Sequence, residues 1–180
     1  MPRNIAVIVG STRNDSINRK LAKALVKLAP KDFEFEFVRI DDLPVFNQDH
    51  DQSPPDSVLR VKAQISKADA FLFVTPEHNR SMPAALKNVL DWLSRPYGKS
   101  LWPGKPAGLV GASLGAVGTA VAQAHLRNTL GGRCCGRGAH SPWSPALPSK
   151  KGSALEPKAD IWIVVALLWS PMFHPPRRIW

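Results

Sequence analysis

Ile5-Ala6-Val7-Ile8-Val9-Gly10-Ser11-Thr12-Arg13-Asn14-Asp15-Ser16-Ile17-Asn18-Arg19-Lys20 places an unbroken apolar run directly before a polar loop and the first turn of a helical repeat. A strand that is apolar at every position has both faces covered, which is the habit of a central strand in a parallel sheet. The loop after it offers a glycine, several hydroxyl or amide side chains and a guanidinium at a helix mouth, where backbone N–H groups and the helix dipole favour an anion. A phosphate is the natural occupant. The plainer alternative is that Ser16 only caps the helix and the loop is a solvated turn.

The rest of the chain repeats the strand–helix alternation. Ile17, Leu21, Ala24, Leu25 and Leu28 recur at helical spacing up to Pro30. Phe33-Glu34-Phe35-Glu36-Phe37-Val38 alternates strictly and suits a strand at or near a sheet edge, with one wet face. Val58, Val61, Ile65 and Ala68 mark a second helix, and Ala70-Phe71-Leu72-Phe73-Val74 a second central strand. Ser81 and Pro83 open a third helix, lined by Met82, Leu86, Val89, Leu90 and Leu93. A fourth strand follows over Lys105 to Ala112, then the small-residue loop Ser113 to Thr119 and a fourth helix with Val117, Ala120, Val121 and Ala124 inward.

This order fits an α/β, flavodoxin-like, doubly wound parallel sheet of order 2-1-3-4-5. Thr75 to Ser81 and Ser113 to Thr119 then share the rim of Gly10 to Asn18, at the carboxyl ends of the strands where such sheets bind ligands. A dinucleotide-binding Rossmann turn would need Gly-x-Gly-x-x-Gly where Gly10-Ser11-Thr12-Arg13-Asn14-Asp15 stands. A P-loop would need a lysine at the helix start, and Lys20 lies well inside.

Composition bounds the partners. At 180 residues and 44% apolar, the chain is sized for one domain with a real core. No basic-then-apolar leader and no apolar run of about 18 residues suggests export or a membrane span. Cys134 and Cys135 are adjacent and form no metal-ligand set, so no metal is expected and a reducing cytoplasm is. The net charge of +10 is split evenly, with 17 basic against 12 acidic residues up to residue 130 and 7 against 2 beyond it. Its basic side chains fall mostly on polar helix faces, without a recognition helix or aromatic interleaving, so nucleic acid is not an expected partner.

Taken together, Gly10 to Arg13 with Ser16 to Arg19, Leu43-Pro44 through Asn47-Gln48-Asp49, Thr75 to Pro83 with Leu86-Lys87-Asn88 and Asp91-Trp92, and Gly111-Ala112-Ser113 resemble the NADPH-dependent FMN reductases, which include quinone and chromate reductases. The resemblance covers about residues 3 to 130. It implies an FMN phosphate held by Ser11, Arg13, Ser16, Ile17 and Asn18. Pro76, Glu77, His78, Asn79 and Arg80 would lie against the flavin ring, with Ser113 and Gly115 on its other side. It implies ping-pong hydride transfer from NADPH (or NADH) through FMN to a small-molecule acceptor such as a quinone, with no catalytic side chain of the protein's own. Arg13 and Arg80 are candidates for NADPH phosphate contacts, and His78 for a ring contact or a proton donor. Asp91 and Trp92 read as packing or subunit-interface residues, and relatives are usually homodimers or homotetramers. Two departures stand out: His78, where a tyrosine is frequent in relatives, and Leu114, where proline is common.

From about Gly131 the pattern changes. Residues 131–180 hold 4 of the 6 tryptophans, 7 of the 17 prolines and both cysteines. The expected division is a flavin domain over 1–130 and an atypical tail over 131–180, whose abrupt composition suggests a shifted reading frame. A basic tail contacting an acidic partner or a membrane surface competes with this, and Ile161 to Trp169 would serve as a substitute edge strand. A flavodoxin-type electron carrier and an inactive relative with a defective C-terminus remain alternatives to the enzyme; the basic balance argues against the carrier.

Overall fold

The computed structural model describes residues 3–131 and 162–168. Five strands form one sheet in the order β2-β1-β3-β4-β5. Strand β1 (Arg3–Val9) and β3 (Ala70–Val74) lie centrally and β2 (Phe33–Val38) at an edge, as their apolar and alternating patterns require. Strand β1 pairs in parallel with both β2 and β3, and β3 with β4 (Ala107–Ser113). The four parallel strands therefore direct their carboxyl ends to one rim.

Strand β5 (Trp162–Leu168) lies antiparallel to β4, with Ala107 opposite Leu168 and Ser113 opposite Trp162. The four parallel strands are the doubly wound sheet expected, and β5 falls within Ile161 to Trp169, the segment named as a substitute edge strand. The fifth strand comes from the sequence-atypical tail, and it pairs the flank of β4 that would otherwise present open backbone groups. The remaining tail features, Cys134, Cys135 and Trp143 among them, lie outside the described residues.

Helices α1 (Ile17–Leu28), α2 (Asp56–Lys67), α3 (Ala84–Leu93) and α4 (Ala120–Gly131) complete the fold. The larger core cluster sets Val61 and Ile65 of α2 and Leu86, Val89, Leu90 and Leu93 of α3 against Ile8, Phe71, Phe73 and Leu109 of the sheet. Trp102 is fully buried there, its Nε1 donating to Leu90 O at 3.1 Å and its ring edge-on to Phe71. On the other face Ala22, with Leu21, Leu25 and Val26, covers Val7, Val9, Val74 and Val110.

Two helix faces differ from the periodicity. In α1 the fully buried positions are Asn18 and Ala22, whereas Ala24 is exposed and Leu28 is 82% exposed. In α4 they are Ala122, Gln123, Leu126 and Leu130, with Ala120, Ala124 and Val117 exposed. In both, a polar residue occupies the centre of the buried face because it has a hydrogen-bond partner there, and counting apolar residues skips that position.

The stretch Leu43 to Asp49 is fastened to α3. Pro44 O accepts from Asn88 Nδ2 and Trp92 Nε1, each at 2.9 Å, and Phe46 N donates to Asn88 Oδ1 at 2.8 Å. Trp92 is thus a buried packing residue, edge-on to Phe46. Asp91 makes an i,i+4 ion pair with Lys87 at 2.7 Å.

Candidate functional site

The loop from β1 to α1 is gripped at both ends. Gly10 N donates to Val74 O at 2.9 Å, and a Cβ on Gly10 would press against Thr75 Oγ1, Leu86 and Pro83 at 3.2–3.4 Å. Ser16 caps α1, its Oγ accepting from Arg19 N at 3.2 Å; the hydroxyl proton is still available for donation. Helix geometry leaves the amides of Ile17 and Asn18 without acceptors inside α1. The first turn of α1 carries no acidic residue, so the positive end of its dipole is not neutralised from within the helix. Ser11 is buried nearby, while Thr12 and Arg13 are exposed, and Asp15 is paired with Lys20.

Asn18 plays a different part from the one its motif suggests. Its Nδ2 donates to Ala112 O and its Oδ1 accepts from Ala112 N, both at 2.9 Å and both buried. The side chain holds α1 to β4; only its backbone amide faces the helix mouth as a free donor.

The β3–α3 loop has the same doubleness. Pro76 and Glu77 are half-buried, and Glu77 Oε2 accepts from Val121 N at 3.0 Å and Ala122 N at 3.2 Å. The carboxylate therefore caps α4. His78 and Ser81 exchange two backbone bonds of 2.9 Å around Asn79 and Arg80, whose φ angles are +49° and +62°. Two successive left-handed residues make this a tight hairpin turn of the primed type, tolerable for asparagine and strained for arginine. His78, Asn79 and Arg80 are exposed at its tip. Ser81 does not start α3 as expected: its backbone closes the hairpin, its Oγ lies 3.0 Å from His125 Nδ1, and α3 begins at Ala84 after Pro83.

In the β4–α4 loop, Ser113 Oγ accepts from Gly115 N at 3.1 Å, and Gly118 N donates to Gly115 O at 2.8 Å with a φ of +65° at Gly118. Leu114 and Val117 are exposed. Beneath it, Thr75, Thr119 and Gln123 are fully buried, with Gln123 Nε2 donating to Thr119 Oγ1 at 2.9 Å. Gly111 is pressed so closely by the Thr119 side chain and Thr75 O that a Cβ there would overlap both. These four residues stand behind the site; Gly111, Thr75 and Thr119 fall in stretches the sequence already marked, whereas Gln123, a polar residue on a helix face read from its apolar positions, was not singled out.

All three loops lie on one rim, because Val9 pairs with Val74 and Val74 with Val110 at the ends of adjacent parallel strands. The donor set at the α1 mouth, hydroxyls and unpaired amides with no acid in the first turn, fits a phosphate dianion without a metal. Among the described residues no three His, Cys, Asp or Glu side chains cluster as metal ligands, and no helix is long and apolar enough to cross a membrane.

A cleft of about 310 Å³ adjoins the same loop on its β2 side. Arg39 and Asp41, hydrogen-bonded at 3.1 Å, sit on its wall with Arg19. The Arg39 guanidinium holds the Asp41 carboxyl below the usual carboxylate value. The sequence reading did not single out this cleft.

Comparison with known proteins matches residues 3–140 to the NADPH-dependent FMN reductase family model. A 2-hydroxy-1,4-benzoquinone reductase from a Burkholderia species is 57% identical over 127 residues, 71% of this chain and 69% of that protein. A quinone reductase of Pseudomonas putida is 48% identical over 128 residues, with the same shares covered. Among solved structures, FerB, a flavoenzyme NAD(P)H:(acceptor) oxidoreductase from Paracoccus denitrificans, superposes with a TM-score of 0.68 at 51% identity, covering 71% of this chain and 70% of its own.

Proposed function

This chain belongs to the NADPH-dependent FMN reductase family, and from that membership we propose that it is an FMN-dependent NAD(P)H oxidoreductase acting on a quinone or a similar small acceptor. The observation that supports this most directly is the convergence of three strand-end loops on a helix mouth with no acidic residue in its first turn. When bound, FMN would supply the two-electron chemistry, accepting a hydride from the nicotinamide and returning it to the acceptor in alternate half-reactions.

The chain's own residues bind and orient. Ser11 and Ser16 hydroxyls, the Ile17 and Asn18 amides and the Arg13 guanidinium would hold the phosphate. Pro76, Glu77, His78, Asn79 and Arg80 would border one side of the ring system, Ser113 and Gly115 the other. Asn18 and Glu77 act as positioning residues through their side chains, one tying the phosphate loop to β4 and the other fixing the start of α4. His78 would make a ring contact, with proton donation as its alternative role, and Arg80 and Arg13 would meet the phosphates of the nicotinamide substrate.

The same proposal includes a cytoplasmic homodimer or homotetramer, and a flavin domain over residues 1–130 followed by a separate tail. If neither alternative frame of the coding DNA after codon 130 encodes a strand–helix pattern, the frame-shift origin of the tail falls.

The deciding experiment is to purify the protein, reconstitute it with FMN, record the visible flavin spectrum and follow NADPH oxidation with a quinone. Stoichiometric flavin with quinone-dependent NADPH oxidation is expected. Flavin without NADPH oxidation would point to an electron carrier, and no flavin uptake would overturn both.

A further inference from the structure

Glu77 and Ser81 stand at the two feet of the hairpin that carries His78, Asn79 and Arg80, and both are fastened to α4. Glu77 Oε2 accepts from Val121 N and Ala122 N, and Ser81 Oγ shares a hydrogen bond of 3.0 Å with His125 Nδ1. Val121 and His125 are four residues apart in one helix, so the two attachments lie on the same face, a turn apart. That helix is itself held from the inner side, where Ala122, Leu126 and Leu130 are fully buried.

The hairpin has little of its own to hold its direction. His78 and Ser81 exchange two backbone bonds as an isolated bridge that no strand extends. A two-stranded turn of this kind is marginal by itself, and the positive φ at Arg80 works against it. Where its tip points therefore depends on what holds its feet. With Ser81 released, one attachment remains at Glu77 and the tip is free to swing about it. His125 suits the part, because its ring reaches from an exposed helix position to the half-buried serine. A hydroxyl both donates and accepts, so the link holds with either tautomer of the imidazole.

Building on the NAD(P)H oxidoreductase reading, we propose that His125 is a positioning residue for hydride transfer: through Ser81 it fixes the His78–Ser81 hairpin against α4 and so sets how Asn79 and Arg80 border the flavin ring. The phosphate loop is held separately, by Gly10 N on Val74 O and by the Asn18 side chain on Ala112. Grip on the flavin phosphate and alignment at its ring thus rest on different bonds. Alignment weighs on rate more than on affinity, since a misplacement of about 1 Å at the reacting centre costs up to about a hundredfold in rate.

The test compares wild type with Ser81→Ala, His125→Leu and His125→Asn, with Asn128→Ala on the exposed side of α4 as the control. Asparagine keeps a polar atom at the δ position where Nδ1 stands, whereas leucine keeps bulk and loses the bond. In flavin-free protein, amide exchange at His78 and Ser81 should quicken about three- to tenfold in Ser81→Ala and His125→Leu, and the double variant should be no faster than either. In FMN-loaded protein, flavin bleaching by saturating NADPH should slow about tenfold in both, while FMN affinity stays within about twofold of wild type. His125→Asn should recover most of both readouts, and Asn128→Ala should match wild type. Unchanged exchange, additive effects of the pair, or rates that fall only in step with lost flavin would overturn the assignment. Ser81→Ala leaves α4 untouched and decides the matter should His125→Leu unsettle the helix. A protein that takes up no FMN defeats the oxidoreductase reading instead, and exchange in the flavin-free protein still decides whether His125 holds the hairpin.

Discussion

Asn18 and Ala112, 94 positions apart, exchange two buried hydrogen bonds of 2.9 Å, side-chain amide to backbone carbonyl and backbone amide to side-chain oxygen. This pair fixes the mouth of α1 against β4 and so sets the spacing between the phosphate loop and the Ser113–Thr119 loop. Asn18→Ala would leave both backbone groups of Ala112 buried without partners. A loss of about 2–4 kcal/mol is expected in urea unfolding, with weaker FMN uptake in fluorescence titration. Asn18→Asp keeps the acceptor but sets an anion against Ala112 O and beside the phosphate site. Its flavin affinity should fall further than that of the alanine variant.

Gly111→Ala tests the packing behind the site. The added methyl overlaps both the Thr119 side chain and Thr75 O, and the second of these is backbone that cannot rotate away. Expected is a loss of at least about 3 kcal/mol or failure to accumulate folded protein, read by circular dichroism and soluble yield. Trimming Thr119 to serine should not rescue it, because Thr75 O remains.

Arg80 is held at φ +62° in the hairpin of His78 and Ser81. Arg80→Gly removes that strain and creates the Asn-Gly pair that such turns favour, so the unfolding free energy should rise by about 0.5–1 kcal/mol, read as a higher urea midpoint. If Arg80 contacts the nicotinamide substrate, KM for NADPH rises in the same variant while flavin content is unchanged. Stability and substrate affinity then move in opposite directions.

Glu77→Gln retains a side-chain oxygen but removes the charge that accepts from Val121 N and Ala122 N at the positive end of α4. A cost of about 0.5–1.5 kcal/mol is expected, less at high salt. Glu77→Ala should cost more, and hydrogen exchange in the first turn of α4 should speed up in both.

Lys105 lies over the Phe71 ring at 5.7 Å and donates to Ile65 O and Ser66 O at the end of α2. Burial depresses its pKa below the ordinary 10.5 despite Asp69 nearby. Between the depressed folded value and 10.5 the unfolded chain binds more protons than the folded one, so this group makes stability rise with pH in that window. Unfolding midpoints measured from pH 8 to 10.5 should climb less steeply for Lys105→Met than for wild type. An identical slope would remove Lys105 as the cause.

Much of the site was readable in advance because its parts are local. Five apolar residues before Gly10, strict alternation from Phe33 to Phe37, and proline and polar residues after Val74 each report on their own backbone, and strand–helix alternation then puts the loops on one rim. Ser81 misled because a serine before a proline resembles a helix start, whereas its hairpin depends on the backbone of His78.

The sequence by itself determined the strand types, the sheet order up to β4 and which segments border the rim, since hydrophobic period and loop composition are properties of neighbouring residues. Only the tertiary structure decided what the polar side chains there do: that Asn18 holds Ala112, that Glu77 caps α4, that Arg39 and Asp41 share a cleft with Arg19, and that β5 runs antiparallel to β4. The physical reason is range. A hydrogen bond or charge pair is fixed by a partner that folding brings near, here up to 94 residues away in the chain, and no local pattern encodes where that partner will stand.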